Sequence, residues 1–330
     1  MTAEPRPKRY PAPEFPPRRS PAFARTPPAI FPVLLGLCGL AIALRTGLAV
    51  FGLPQAPGDL ASGVALALWA FGVLAYGLKL RRRPGVLLED LAVMPSRAGL
   101  AAGTMGGMAS ASLLAPYSPQ LAMALLLAAL LAHGVLALLT LRVLAGLPEP
   151  AREVNPGWHL SFVGFIVAAP AALALGQEGL ARALFWAVLP FAVAIWSLSG
   201  RQLWLRIPPA PLRPMLAIHL APAALLAIVA TRFWPEGFAL VILVVMVLIL
   251  VALGIGLRWI TTSGFSALWG AFTFPLTAAA TALLMQGGLV AWAGAVVLVA
   301  ALGIVPVLAW KILKLWPGGN LAAKTNAAEA

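Results

Sequence analysis

From residue 30 onward the chain alternates between apolar runs of about twenty residues and short polar stretches rich in proline, glycine and arginine. Roughly 20 apolar helical residues cross a hydrocarbon core. The runs therefore predict helices near 30–50, 60–80, 97–115, 120–141, 158–176, 183–200, 212–231, 237–257, 264–285 and 290–312. Two of these carry the weaker signal: small residues dominate 97–115, and 183–200 is short.

The connections alternate too. One set is short (GLPQAPGD, PYSPQ, GQEG, RFWPEG, QGG), whereas the other, including LPEPAREVNPG and RIPPAPLRP, is mostly longer. Helices thus come in five successive hairpins, starting near 30, 97, 158, 212 and 264. Such a pattern reads as an internally repeated membrane fold, without recognisable repetition of residue identity. The expected fold class is an all-α integral membrane protein of ten transmembrane helices.

Composition agrees, with 61% hydrophobic and only 10% charged residues among 330. A soluble domain carries roughly 25% charged residues, so this chain lacks the polar surface to face water. Its net charge of +13 is spread in short clusters between apolar runs. That is how topology-setting loops look, and it argues against a nucleic-acid surface. With ten spans and a cytoplasmic start, 20 of the 23 Lys and Arg fall on the inner side, and only Arg45, Arg182 and Arg232 on the outer. Removing the doubtful 97–115 helix would invert everything after it and destroy this bias, so the charges support that helix. The expected location is a bacterial inner membrane, multi-pass, with both termini cytoplasmic.

Residues 1–28 hold nine prolines and six basic residues, and are expected to form a disordered basic tail. The membrane domain would occupy 29–315 and a second cytoplasmic tail 316–330. The one cysteine, Cys38, lies in an apolar run, so neither an internal disulfide nor a cysteine metal cluster is available.

Proline is distributed unevenly. Every odd-numbered helix has one (Pro32, Pro116, Pro170, Pro222 and Pro275), whereas among even helices only Pro190 and Pro306 occur. Proline removes a backbone donor and kinks a helix, and the freed carbonyl needs protein or cavity water. Kinked odd helices beside straighter even ones suggest an inner ring of five around a lumen. Ordinary membrane-helix prolines would give the same distribution. Gly36, Gly39, Gly103, Gly106, Gly107 and Gly164 also sit on odd helices, suited to close approach or to a slim pore wall.

The ninth helix carries Trp269-Gly270-Ala271-Phe272-Thr273-Phe274-Pro275-Leu276-Thr277. At about 100° per residue, Phe272 and Phe274 point to nearly opposite faces, so at most one can face a lumen. A ring across a narrow apolar pore would block it, because an ion cannot shed water without replacement ligands. Both rings could equally pack on neighbouring helices or lipid.

Other candidates are few. His133, His159 and His219 lie on three different helices and offer no metal-ligand spacing. His159 and His219 are candidates for polar pore groups or helix bridges, His219 one turn before Pro222. Every Asp and Glu falls in a tail, a loop or a helix end, leaving no intramembrane carboxylate relay. Glu89 and Asp90 are expected to form a solvated network with Arg81, Arg82 or Arg83. No phosphate loop, HExxH or nucleophile elbow occurs, so neither an enzyme nor a cofactor is expected.

The phrase AFTFPLT with Trp269 ahead of it resembles the ninth-helix phrase of the tellurite-resistance/dicarboxylate transporter family, whose members include bacterial TehA and plant guard-cell slow anion channels. Further resemblance lies in Phe31-Pro32 followed by GLCGLAIALR, in LLEDLAVMPSRAG and in PPAPLRPMLAIHLAP, and covers roughly 28–315. It implies five quasi-symmetric hairpins with odd helices around a central pore, a homotrimer, and a pore-occluding phenylalanine at Phe274, with Phe272 the second choice. The chain departs from the family at Gly270, where a second aromatic is often found, and in its glycine-rich third helix. Both bear on pore width. The functional expectation is gated, channel-like permeation of small inorganic or organic anions. The alternative is a secondary transporter for C4-dicarboxylates or a tellurite-resistance efflux carrier. A scaffold or membrane enzyme subunit is a third reading.

Overall fold

Proline opens four of the α-helices and glycine closes most of the hairpins, in a computed structural model that describes residues 21–235 and 237–330. A short 3-10 turn, Pro28–Ile30, leads into α1 (Phe31–Val50), followed by α2 (Ala56–Arg82), α3 (Val86–Ala92), α4 (Met94–Leu114) and α5 (Pro119–Gly146). Helices α1, α2, α4 and α5 each have proline in the first turn, where its missing N–H has no helical partner to lose. Next come a π-turn, His159–Val163, a 3-10 turn, Gly164–Val167, and α6 (Ala168–Ala174), then α7 (Glu178–Leu205). A 3-10 stretch, Ala210–His219, feeds α8 (Leu220–Phe233), followed by α9 (Phe238–Ile255) and α10 (Leu257–Ile260). Another, Ala267–Phe272, feeds α11 (Thr273–Leu284), and α12 (Gly288–Leu313) and α13 (Asn320–Thr325) complete the chain. Four hairpin turns contain a glycine at positive φ (Gly52, Gly176, Gly237 and Gly287), a conformation side chains resist. The fifth turn, after α4, uses Pro116 instead.

Among the described residues, eight helical passages are long and apolar enough to cross a membrane. The 183–200 signal understates α7, which has 28 residues. The other two expected passages are α4, with 21 residues, and the broken passage His159–Ala174, which has a shorter helical run. Among the described residues there is no strand.

Contacts sort the passages into two layers. α1 packs on α4, α4 on α6, α6 on α8, α8 on α11, and α11 back on α1, a closed cycle. Around it, α2 sits on α1 and α4, α5 on α4, α7 on α6, α9 on α8, and α12 on α11 and α1. Burial follows this order: the α8 passage is 83% buried, whereas α9 is 17% buried. The outer helices show Leu74, Leu131, Leu240, Leu248 and Val296 outward, an apolar surface that hydrocarbon covers and water does not.

Glycines let the inner layer close up. A β-carbon on Gly36 would meet Thr273 Oγ1 at 2.2 Å, and one on Gly106 would meet Trp69 Cδ1 at 2.6 Å. Trp69 Nε1 donates to the Gly103 carbonyl at 2.9 Å. The α4 glycines thus receive neighbouring helices rather than thinning a pore wall.

Both ends of the chain meet at one end of the bundle, called here the termini side. The 1–28 tail expectation falls on undescribed residues up to 20. Beyond that, Ala24 and Thr26 are fully buried, because Lys79 Nζ donates to the Thr26 carbonyl at 3.1 Å. Lys79 also forms a 2.8 Å ion pair with Asp90, both side chains 0% exposed. Asp90 accepts from Tyr76 Oη at 2.9 Å and from the Ala328 backbone N–H at 2.8 Å. The solvated network expected of Glu89-Asp90 therefore holds only for Glu89, which pairs with Arg83 at 2.5 Å. Adjacent positions on a helix point apart, and only one of the two reaches the interior.

Candidate functional site

The inner layer encloses two cavities. One, on the termini side, has a volume of about 70 Å³ and is walled by Pro32, Ala98, Ala102, Gly164, Pro222 and Ala271, among others. The other, on the far side, is about 290 Å³, with Gly39, Ile42, Ala109, Pro170, Ile228 and Ala278 in its wall. Each wall takes residues from all five inner passages, and the register advances in parallel along them. Three residues belong to both walls: Val167, Leu225 and Phe274.

Phe274 is 6% exposed, and its position is set locally. Thr273 Oγ1 donates to the Gly270 carbonyl at 2.8 Å and lies 3.0 Å from the Pro32 carbonyl, tying the start of α11 to the start of α1. Thr277 Oγ1 bonds back to the Phe274 carbonyl at 2.8 Å. Between these two threonines the ring lies against Gly39. Phe272 lies in neither wall and packs its ring on Trp269, centroids 5.8 Å apart. Of the two candidate aromatics, only Phe274 meets the cavities.

The prolines act differently from the expectation of kinks inside continuous α-helices. Pro170, Pro222 and Pro275 are each the third residue of an α segment (α6, α8 and α11) preceded by 3-10 winding. Helix N-termini leave their first N–H groups without intrahelical partners, so proline is accommodated where the winding changes. Pro32, at the start of α1, and these three all line a cavity. Pro116 does not: it lies in the turn after α4, outside the helix, and the α4 contribution comes instead from Pro95 near its start.

His159 stands in the wall of the termini-side cavity and is 2% exposed. Its Nε2 lies 3.0 Å from Nδ1 of His219, so His219 bridges to His159 rather than to a carbonyl freed by Pro222. His219 is not in the wall; its carbonyl accepts from Trp196 Nε1 at 3.2 Å. His133 bridges α5 to α4 through Thr104 Oγ1, 2.7 Å away. Among the described residues no group of three or more His, Cys, Asp and Glu could hold a metal.

Several wall residues gave no signal in the sequence. Val167 and Leu225 are ordinary aliphatic residues of apolar runs, and only the packing brings them beside Phe274. Arg45, which the sequence placed only among the outer-side basic residues, lines the far-side cavity. It is 22% exposed, 3.3 Å from Asp59, and donates to Tyr117 Oη at 2.9 Å. Tyr117 in turn donates to Asp59 at 2.5 Å. On the termini side, Thr325 of α13 lines the cavity, and α13 lies against both Pro28–Ile30 and Ala267–Phe272.

The family model for voltage-dependent anion channels matches residues 25–313. The chain belongs to the voltage-dependent anion channel family. Membership assigns anion channel or transporter activity in a membrane, and the family is not one of enzymes. No curated protein matches the chain. The matched span includes all five inner passages, Phe274 and every cavity-wall residue except Thr325, and ends just before the segment that carries α13.

Proposed function

We propose that this member of the voltage-dependent anion channel family spans the membrane ten times as five hairpins, and that a gated path for small anions runs along the axis of its inner layer. The termini side is the cytoplasmic side of a bacterial inner membrane, in keeping with the 20 to 3 distribution of Lys and Arg. Phe274 closes the path. One observation carries this reading: Phe274 stands in the walls of two cavities that otherwise occupy successive levels of the same five passages.

Neither wall holds a Lys, Asp or Glu, and Arg45 is the one charged residue in either. An anion entering such a path relies on helix dipoles and on the positive edges of aromatic rings. The basic residues at the proposed cytoplasmic mouth raise the local anion concentration. The order of permeation then follows how easily each anion gives up its water.

Phe274→Ala joins the two cavities. Reconstituted in planar bilayers, that variant carries a larger anion current than the wild type, and substitution of one anion for another reports the permeation order. A well-folded variant with no added current overturns the gate. The family's alternative activity, carrier transport of C4-dicarboxylates or tellurite efflux, calls for a free cation near the path. Arg45 is already engaged by Asp59 and Tyr117, which disfavours it. Saturable, proton- or sodium-coupled malate uptake would instead support the carrier. A trimer, the expected assembly, is read from the native mass in detergent.

A further inference from the structure

An anion that passes Phe274 leaves water and needs hydrogen-bond donors in its place. The termini-side wall offers few, being largely alanine, proline, methionine and aliphatic residues. His159 is the only imidazole in it, and its Nδ1 is buried with no hydrogen-bond partner among the described residues. Buried polar nitrogens are nearly always bonded, so an unmatched one on a residue of the cavity wall is placed to take a ligand once the ring turns toward the cavity.

The second histidine decides what that nitrogen can offer. Two neutral imidazoles joined through Nε2 of His159 and Nδ1 of His219 share a single proton in that bond. When His219 Nδ1–H is the donor, His159 accepts at Nε2. Its own proton must then reside on Nδ1, the atom left without a partner. The pair is held rigidly: the rings meet edge to face at 5.0 Å and 86°, and the tilted ring of Trp196 lies 5.7 Å from His159 while its Nε1 anchors the His219 carbonyl.

We propose that His159 is an anion-binding donor in the termini-side cavity, with His219 as the positioning residue that keeps the proton on His159 Nδ1. The ligand is a small monovalent anion of the chloride or nitrate kind, accepted by a neutral N–H. A neutral donor suits a conducting path, because binding must be firm enough to replace water and weak enough to allow release. A metal is a poor alternative, since the two facing nitrogens already bond each other. His133 is the informative contrast. Its Nε2 also lacks a partner, but the void it borders beside Ala101 and Thr140 has no room for even a water, and the ring packs edge to face on Phe165 at 4.5 Å. An unpartnered nitrogen alone is therefore not a site; room beside it for an anion makes the difference.

This inference rests on the proposed permeation path, and its test separates the two. In the Phe274→Ala background, chloride current is recorded against chloride concentration. With His159→Leu added, the half-saturating concentration rises about tenfold, the loss of one hydrogen bond to a charged group. His159→Asn, which keeps an N–H near the place of Nδ1, shows a smaller rise. Nitrogen NMR of labelled imidazoles shows His159 protonated at Nδ1 in the wild type and as a tautomer mixture in His219→Leu. An unchanged half-saturation in His159→Leu, or equal losses in the Leu and Asn variants, overturns the proposal. If Phe274→Ala carries no current, the permeation reading fails and the site is tested alone. Chloride then still raises the thermal midpoint of the wild type more than that of His159→Leu; equal shifts overturn it.

Discussion

Gly39 is the surface on which the Phe274 ring rests: a β-carbon there would come within 2.8 Å of ring carbon Cδ2 and 2.3 Å of Thr277 Oγ1. Gly39→Ala overpacks this contact and is expected to cost about 1–3 kcal/mol, seen as a lower thermal midpoint in detergent. Part of that cost belongs to the ring. In a double-mutant cycle with Phe274→Ala the two changes couple by roughly 0.5–3 kcal/mol, the methyl group being tolerated better once the ring is gone. Strictly additive losses would mean that Thr277 alone resists the substitution.

The buried Lys79–Asp90 pair holds four separate segments together: α2, α3, the Thr26 carbonyl and the Ala328 N–H. Lys79→Met leaves Asp90 buried without its cation, at an expected cost of about 3–5 kcal/mol. Replacing both partners with apolar residues, as in Lys79→Met with Asp90→Leu, recovers part of that loss. Thermal unfolding of the three variants checks the order: single variant least stable, double variant intermediate, wild type most stable.

The exposed Arg83–Glu89 pair gives a pH dependence of definite sign. The hydrogen bond from Arg83 is the main influence holding the Glu89 carboxyl below its ordinary range. A carboxylate depressed in the folded state adds stability above its unfolded pKa and loses it as pH falls through the folded value. The stability difference between the wild type and Glu89→Gln therefore narrows on acidification below about pH 4. Both groups are solvent-exposed, so the difference is small at any pH.

Residues 320–330 lie over the termini-side cavity. Leu321 is fully buried, Thr325 lines the wall, and the Ala330 N–H donates to the Ala24 carbonyl at 3.1 Å. Glu329 pairs with Arg25 at 2.8 Å, and its carbonyl accepts from Arg83 Nε at 2.9 Å. Deleting 320–330 uncovers that cavity. A cysteine introduced by Ala98→Cys, in its wall, then reacts faster with a water-soluble thiol reagent. The native Cys38 is buried and gives little background. An unchanged labelling rate would mean that the tail does not limit access.

The all-helical class and the membrane character were legible in the sequence because they depend on local quantities. Runs of apolar residues, basic clusters and turn glycines each act within a few positions of the chain. The same locality explains two misreadings. Pro116 was grouped with Pro170 and Pro222 because each belongs to an odd-numbered run, yet one residue stands in a turn and the others where the winding changes from 3-10 to α. Asp90 resembled its neighbour Glu89, and only the position of Lys79 on another helix decided that it would be buried.

The candidate site divides in the same way. Phe274 was singled out by its phrase, and the proline beside it showed where the helix would change. Val167, Leu225, Thr325 and the His159–His219 bond carried no local signal. His159 and His219 are 60 positions apart, and their rings meet only because the π-turn His159–Val163 packs on the 3-10 stretch Ala210–His219. What the amino-acid order settled by itself is that this chain is helical and must reside in hydrocarbon, since solvation and helix propensity act residue by residue. Which side chains face one another across the interior was decided by the closed cycle of inner helices, because side-chain packing is a property of surfaces that the chain brings together from far apart.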